Sequence, residues 1–226
     1  MRNPVSINFN RCKTREEKID KVFKEEVKGI LETLEVCRSS ISKVIDAIKT
    51  QLDKGNKIIV TGAGASALVA QEMAGQGMET GLPILVFTNS LAEAFPVSFS
   101  KGVGEGEGGL SHYTNLVVDK GDVVIGISAS GRTGFVYETL KRARKKGAVT
   151  IAITENVDTP LTKNADYVLK SNAKPEGPSS SKIQVAHLAI AHTLMLILAD
   201  ERGITADDAT KYMSPELVPT KKMGTK

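Results

Sequence analysis

The sequence contains no tryptophan, and aromatic residues make up only 4% of its 226 positions. Proteins that bind RNA or single-stranded DNA stack the bases on aromatic side chains. Lysine and arginine number 30 against 26 aspartates and glutamates, a net charge of +4, and such a balance gives no broad basic surface for a nucleic-acid backbone. We therefore expect no nucleic-acid partner.

Cysteine is also scarce. Cys12 and Cys37 are the two cysteines, and neither lies in a CxxC or Cys/His cluster of the kind that binds zinc. This usage is typical of a reduced, cytoplasmic protein. The longest apolar stretch, residues 188–199, is interrupted by His192 and is shorter than the roughly 20 residues that cross a bilayer, and no export-type segment follows Met1. We expect a cytoplasmic chain with no membrane partner.

Between residues 14 and 52, apolar side chains recur at three- and four-residue spacing, which predicts amphipathic helix. The pattern is interpreted as two helices with a break or bend at Ser39 and Ser40. Residues 1–54 would then form an N-terminal helical arm that packs on the main body or on a second subunit.

After Gly55, short apolar runs alternate with turns and helical stretches. Five such strands predict a three-layer α/β sandwich of flavodoxin or Rossmann type around a five-stranded parallel sheet, and the predicted strands are residues 58–60, 84–87, 123–127, 150–153 and 167–169. This domain would span residues 55–204, and residues 205–226 would form a short helix (206–212) and a tail. Ligands in such folds bind where strands end and loops lead into helices. The glycine-rich segment 98–109 is a lid over that edge or a plain surface loop.

The first strand runs into Gly62, Gly64 and Ser66, a glycine pattern that also occurs in dinucleotide-binding folds. Those folds need a carboxylate near the end of the second strand to hold the ribose, and residues 86–90 (VFTNS) contain none. No lysine follows the glycines, as it would in a P-loop. We expect no cofactor.

The turn after the third strand, residues 128–133 (SASGRT), leads directly into a helix. Its hydroxyl groups, a glycine that allows close backbone approach and a helix N-terminus can together hold a phosphate without metal or lysine. A plain helix cap is the alternative, but it needs only one of these hydroxyls. The pattern favours phosphate binding.

In order along the chain, the glycine turn at 62–66, the serine turn at 128–133 and the segment 155–169 (ENVDTPLTKNADYVL) resemble the sugar isomerase (SIS) domain. The resemblance covers about residues 57–199 and implies a sugar-phosphate ligand and a homodimer or homotetramer with sites near subunit interfaces. The phosphate- and sugar-binding positions that we assign are Gly64, Ser66, Ser128, Ser130, Gly131, Thr133, Ser180 and Gln184. Ser180 belongs to a serine run that also reads as a helix cap.

Two branches of this family compete. Residues 126–166 resemble N-acetylmuramic acid 6-phosphate etherase and the related glucokinase regulatory protein. Two glutamates do the acid–base work in that etherase. The first corresponds to Gln76, which cannot transfer a proton, and the second to Glu105 or Glu107. This branch implies a lyase, or a sensor that binds a sugar phosphate without turnover.

The helix that contains Gln184, His187 and His192 instead resembles phosphoheptose isomerase, as do the chain length and the helical arm. That likeness implies site roles for Glu72, Gln76, Gln184 and His192, with a metal ion on Glu72, Gln184 and His192 as a secondary alternative. Glu72 and Gln76 share one helix face, whereas His187 and His192 lie about 140° apart. Only one histidine is therefore expected at the site, and a structural histidine is the alternative for His192.

These observations predict a phosphosugar aldose–ketose isomerase. A base would remove the proton next to the sugar carbonyl, an enediol would form, and the proton would return to the neighbouring carbon. The catalytic candidates are His192, Glu72, Gln76 and Glu105. An etherase-like lyase and a non-catalytic sensor remain the alternatives.

Overall fold

The computed structural model describes residues 12–89, 114–174 and 181–211 of the chain. Its centre is a parallel five-stranded sheet in the order β2-β1-β3-β4-β5. The strands are β1 (Ile58–Ala63), β2 (Ile84–Asn89), β3 (Val123–Ile127), β4 (Val149–Thr154) and β5 (Tyr167–Lys170). Each strand contains its predicted run, and the predicted α/β sheet is confirmed.

Helices cover both faces of the sheet. They are α1 (Arg15–Leu52), α2 (Ala65–Glu79), α3 (Thr114–Val117), α4 (Gly134–Lys145), α5 (Pro160–Lys163), α6 (Ser181–Glu201) and α7 (Ala206–Ala209). The chain leaves β1 for β2 on one side and returns to β3 on the other. In sheets with such a reversal, ligands bind in a crevice at the carboxyl ends of the two strands concerned, which here are β1 and β3.

The central strands are buried on both faces. Ile58 and Val60 belong to the core formed with α1, α2 and α6, whereas Ile59 belongs to the core on the α4 side. All three are fully buried, and each such side chain contributes roughly 1.5–3 kcal/mol of burial free energy. Burial on both faces explains why the strands appear in the sequence as continuous apolar runs.

Two buried or half-buried carboxylates join neighbouring strands at their amino ends. Asp122 accepts hydrogen bonds from the backbone N–H groups of Lys57 and Asp119 and lies 2.6 Å from Lys57 Nζ. Asp166 accepts from both the backbone N–H and the hydroxyl of Thr150, each at 2.9 Å. These contacts hold β1 against β3 and β5 against β4 at the edge opposite the crevice.

The prediction of two helices in the N-terminal segment is wrong, because α1 is one helix of 38 residues. It begins with a capping box between Thr14 and Glu17 and passes through Ser39 and Ser40 without a break. Serine costs only about 0.5 kcal/mol in a helix interior, and the buried stripe continues on both sides of the pair, from Cys37 to Ile41. Tertiary packing therefore outweighs the weak local preference.

The first half of α1 carries apolar side chains that the described residues leave exposed. They recur every three or four residues and are Ile19, Phe23, Val27, Leu31 and Leu34. On the opposite side of the same half, Gly29 lets the side chain of Lys182 pack closely against α1, and Lys182 Nζ lies 3.1 Å from Glu25. This ion pair joins α1 to the first turn of α6.

Helix α6 is long and apolar enough to cross a membrane by length and composition alone. Half of its most apolar window is buried inside the protein, where Ile190, Leu194 and Leu198 pack in the core with α1 and α2. This burial is what a core helix requires, and the apolar composition of α6 follows from it.

The C-terminal helix is shorter than the predicted 206–212, since α7 ends at Ala209. A capping box between Thr205 and Asp208 forms a single turn, and none of its residues is buried. Without a packed face, nothing favours extending so short a helix. The boundaries at residues 54 and 204 stay predictions.

Candidate functional site

The turn after β3 is held by its own hydroxyl groups. Ser128 Oγ lies 2.9 Å from Thr133 Oγ1 and accepts a hydrogen bond from the Gly131 N–H at 3.1 Å. Ser130 Oγ accepts from the Arg132 N–H at 3.2 Å, and this serine is exposed. The serine turn is thus held together by hydrogen bonds among its own residues.

The helix that follows the serine turn is open to an anion. Thr133 is the N-cap of α4, but its side chain makes no capping hydrogen bond, and the first turn of α4 contains no acidic residue. The first N–H groups of a helix lack partners within the helix and attract negative charge. Together with the hydroxyls of Ser128 and Ser130, this end of α4 can hold a phosphate.

The loop between β4 and α5, together with the start of α5, packs against the serine turn. Gly131 has φ +66°, and a Cβ atom on it would lie 2.4 Å from Thr159 Oγ1. The Leu161 N–H donates to the Gly131 carbonyl at 3.1 Å, and Thr159 is itself fixed by a capping box with Thr162. The residue at 131 must therefore be glycine for both conformational and steric reasons.

The glycine turn after β1 lies at the same edge of the sheet, because β1 and β3 are paired neighbours. Gly64 has φ +59°, and its carbonyl accepts from the Ala67 N–H at 3.0 Å. A Cβ on Gly62 would lie 2.5 Å from the Ser66 carbonyl oxygen, and Ser66 is buried at the start of α2. The predicted positions 64, 66, 128, 130, 131 and 133 therefore lie at the carboxyl ends of two adjacent strands.

Glu72 and His192 meet across α2 and α6. His192 Nε2 lies 3.6 Å from Glu72 Oε1, and the two side chains are 35% and 54% exposed. Gln76 lies one turn further along α2, and its buried Oε1 accepts no hydrogen bond from the residues that the structure describes. His192 Nε2 is likewise a buried atom without a hydrogen-bond partner among the described residues, and Glu72 is the exposed member of this group.

Gln184 lies on α6 eight residues before His192, about 12 Å along the helix axis, and is half-buried. Across residues 12–89, 114–174 and 181–211, no three His, Cys, Asp or Glu side chains gather as metal ligands do. The alternative of a metal on Glu72, Gln184 and His192 stays a prediction. Glu105, Glu107, Ser180 and the segment 98–109 lie outside the described residues.

The structure also assembles a polar chain that the sequence analysis missed. Ser171 Oγ donates to Glu155 Oε2 at 2.7 Å and lies 3.0 Å from His187 Nε2. His187 is fully buried, and this desolvation lowers the pKa of its imidazole to about 4. Their positions in the sequence could have indicated this contact. Glu155 and Ser171 directly follow β4 and β5, which are paired strands whose carboxyl ends lie at the same edge of the sheet as the serine turn.

The family sequence model of the SIS domain matches residues 22–155 of this chain. Among curated relatives, N-acetylmuramic acid 6-phosphate etherase of Salmonella agona is 28% identical over 185 residues, which is 80% of this chain and 61% of the etherase. The same enzyme of Staphylococcus epidermidis is 29% identical over 160 residues, 69% of this chain and 54% of that protein. The chain thus spans less than two thirds of the length of these relatives.

Solved structures show the same fold. Phosphoheptose isomerase from Neisseria gonorrhoeae superposes with a TM-score of 0.69 at 22% identity, covering 83% of this chain and all of that one. The NanR protein of Vibrio vulnificus, complexed with ManNAc-6P, gives a TM-score of 0.66 at 18% identity and covers 90% of this chain and 69% of that chain. The fold is therefore shared by an isomerase and by a protein that binds a sugar phosphate.

Proposed function

Because the chain belongs to the SIS domain family, we propose that it binds a phosphorylated sugar and interconverts its aldose and ketose forms. The observation that carries the proposal is the serine turn. Hydroxyls of residues 128, 130 and 133 surround the start of α4, whose N-cap side chain leaves the first N–H groups uncapped. Such an arrangement binds the phosphate of a ligand by hydrogen bonds and by the helix dipole.

The chemistry of isomerisation is assigned to Glu72 and His192. Proton transfer between neighbouring sugar carbons needs a base on one side and an acid for the carbonyl oxygen. A carboxylate and an imidazole 3.6 Å apart are the two groups to which we assign these functions. The amide of Gln76 would accept a hydrogen bond from a sugar hydroxyl.

An etherase-like lyase is the second candidate. It is favoured by the etherase relatives at 28% and 29% identity. Gln76 occupies the place of one of the two acids expected in that branch. The proposed lyase would therefore need its proton transfer from Glu72, or from Glu105 or Glu107.

A homodimer or homotetramer belongs to the same proposal. The exposed apolar stripe of α1, from Ile19 to Leu34, is the kind of surface that a partner covers. Light scattering coupled to size-exclusion chromatography tests this directly, because a monomeric mass at micromolar concentration would contradict it.

The test of the reaction is proton and phosphorus NMR in deuterated water with aldose, ketose and N-acetylamino-sugar 6-phosphates. We expect deuterium to enter the carbon next to the carbonyl of one of these sugars, and His192→Gln to abolish that exchange. Release of lactate from N-acetylmuramic acid 6-phosphate, added to the panel as the lactyl-ether substrate, without interconversion of any aldose and ketose would favour the lyase. Binding with neither exchange nor product would mean a sensor.

The test of the binding site is separate. Ser130→Ala should weaken sugar-phosphate binding about tenfold, since one hydrogen bond to a charged group is lost. Ser42→Ala, an exposed serine on α1, is the matched control and should bind as the wild type does. Equal affinity of Ser130→Ala and wild type would refute the assignment of the serine turn.

A further inference from the structure

Glu155, Ser171 and His187 form a directed chain of hydrogen bonds at the carboxyl edge of the sheet. The Ser171 hydroxyl has one hydrogen, and it is donated to Glu155 Oε2 at 2.7 Å. Ser171 Oγ can then only accept from His187 Nε2, which lies 3.0 Å away. His187 is therefore the tautomer with its hydrogen on Nε2, and its Nδ1 is a buried acceptor that no described residue satisfies.

This chain fixes the orientation of the Glu155 carboxylate. Besides the Ser171 hydroxyl, Oε2 accepts from the Ala173 N–H at 3.0 Å. The Ser171 hydroxyl and the Ala173 N–H thus hold this carboxylate oxygen from the protein side. Ser171 and His187 are both fully buried. The side chain of Glu155 is partly exposed, and its Oε1 accepts no hydrogen bond from the described part of the chain.

The carboxylate is also tied to the serine turn. The Ala129 carbonyl accepts from the Glu155 N–H at 3.3 Å and from Asn156 Nδ2 at 3.0 Å. Ala129 lies between the first two serines of that turn and packs against the small apolar cluster of Ala173, Ile183 and Ala186. A group bound at the turn is thus next to the backbone that carries Glu155.

We propose that Glu155 is a specificity-determining residue that accepts a hydrogen bond from a sugar hydroxyl, while Ser171 and His187 are positioning residues that aim its carboxylate. The inference rests on the proposed sugar-phosphate site. Fixed acceptors of this kind discriminate strongly between ligands, because a ligand without the matching hydroxyl leaves the carboxylate desolvated and unpaired. Glu155 repels the phosphate itself, since both groups are anionic.

The test compares two probes on the same variants by isothermal titration calorimetry: inorganic phosphate, and the 6-phosphate sugar that the wild type binds most tightly. Glu155→Gln preserves shape but turns a donor towards the ligand. We expect it to weaken the sugar phosphate roughly 10- to 100-fold and to leave inorganic phosphate unchanged or slightly tighter. Glu35→Gln, an exposed glutamate on α1, is the matched control.

The positioning role of Ser171 and His187 is tested by substituting these two residues. His187→Gln places an amide donor where Nε2 was and should keep sugar-phosphate affinity close to wild type, whereas His187→Leu and Ser171→Ala should each weaken it without changing phosphate affinity. Thermal unfolding of every variant checks that it is folded, and Ser171→Ala carries the test if Glu155→Gln does not fold.

The outcomes separate the inference from the function on which it rests. A wild-type chain that binds neither phosphate nor any sugar phosphate overturns the proposed function and the inference together. Sugar-phosphate binding that Glu155→Gln and Ser171→Ala leave unchanged overturns the inference alone. Equal losses of affinity for phosphate and for sugar phosphate also overturn the inference. They would mean that Glu155, Ser171 and His187 only support the loops around the site.

Discussion

Replacing His187 by glutamine should remove a defined part of the acid sensitivity of the fold. Burial lowers the pKa of His187 from its ordinary 6.5 to about 4. Between these values the unfolded chain binds a proton that the folded chain does not, so stability falls as the pH is lowered from 6.5 to 4. The full difference corresponds to about 3 kcal/mol, of which about 2 kcal/mol is already lost at pH 5.

The assay is urea denaturation of wild type and His187→Gln at pH 7 and pH 5. Other groups titrate in both proteins, so the quantity to compare is the change in unfolding free energy between the two pH values. Wild type should lose about 2 kcal/mol more than the variant. An equal loss in both proteins would show that His187 takes up its proton in the folded state, and the assignment of a neutral imidazole that donates to Ser171 would be wrong.

Two further substitutions test the turn and the arm. Gly131→Ala should lower the free energy of unfolding by roughly 1–3 kcal/mol, because of its positive φ, and should impair phosphate binding in calorimetry. Gly75→Ala, where an added Cβ meets nothing within 4 Å, is its control and should stabilise by about 0.5–1 kcal/mol; equal effects of the two would contradict the geometry of the serine turn. Ser39→Pro should cost about 3 kcal/mol or more and reduce helical circular dichroism if α1 is continuous, whereas Ser39→Ala should be neutral or slightly stabilising. Tolerance of proline at this position would restore the interpretation of two helices.

Much of the fold could be predicted from the sequence, because parallel strands that are buried on both faces appear as short continuous apolar runs bounded by turns. The run from Val123 to Ile127 is an example, and the serine turn after it could be located for the same reason. The continuity of α1 could not be predicted, since Ser39 and Ser40 look like a break until the packing of Cys37 and Ile41 is known.

The candidate site, like the fold, could be predicted from the sequence only in part. The hydroxyls at 128–133 are contiguous in the chain and can be recognised together. Helix periodicity predicted that His187 and His192 point in different directions, and in the structure His187 contacts Ser171 whereas His192 lies beside Glu72. The link from Glu155 to His187 could not be predicted, because it joins residues from two loops and a helix and depends on a buried serine between them. Sequence spacing carries no information on such a contact until the order of β4 and β5 is known.

The carboxylates of Asp122 and Asp166 tie the strands together at the edge opposite the serine turn, and this has a consequence for how the protein can change. The side chains that we propose to contact a ligand and the side chains that hold the sheet together lie at opposite ends of the same strands. Exposed positions such as Ser130 and Asn156 can therefore be randomised in a library while the contacts of Lys57 with Asp122 stay intact. Substitutions that change the ligand preference can therefore be selected with little loss of folding stability. A single scaffold can in this way give rise to binders of many related compounds.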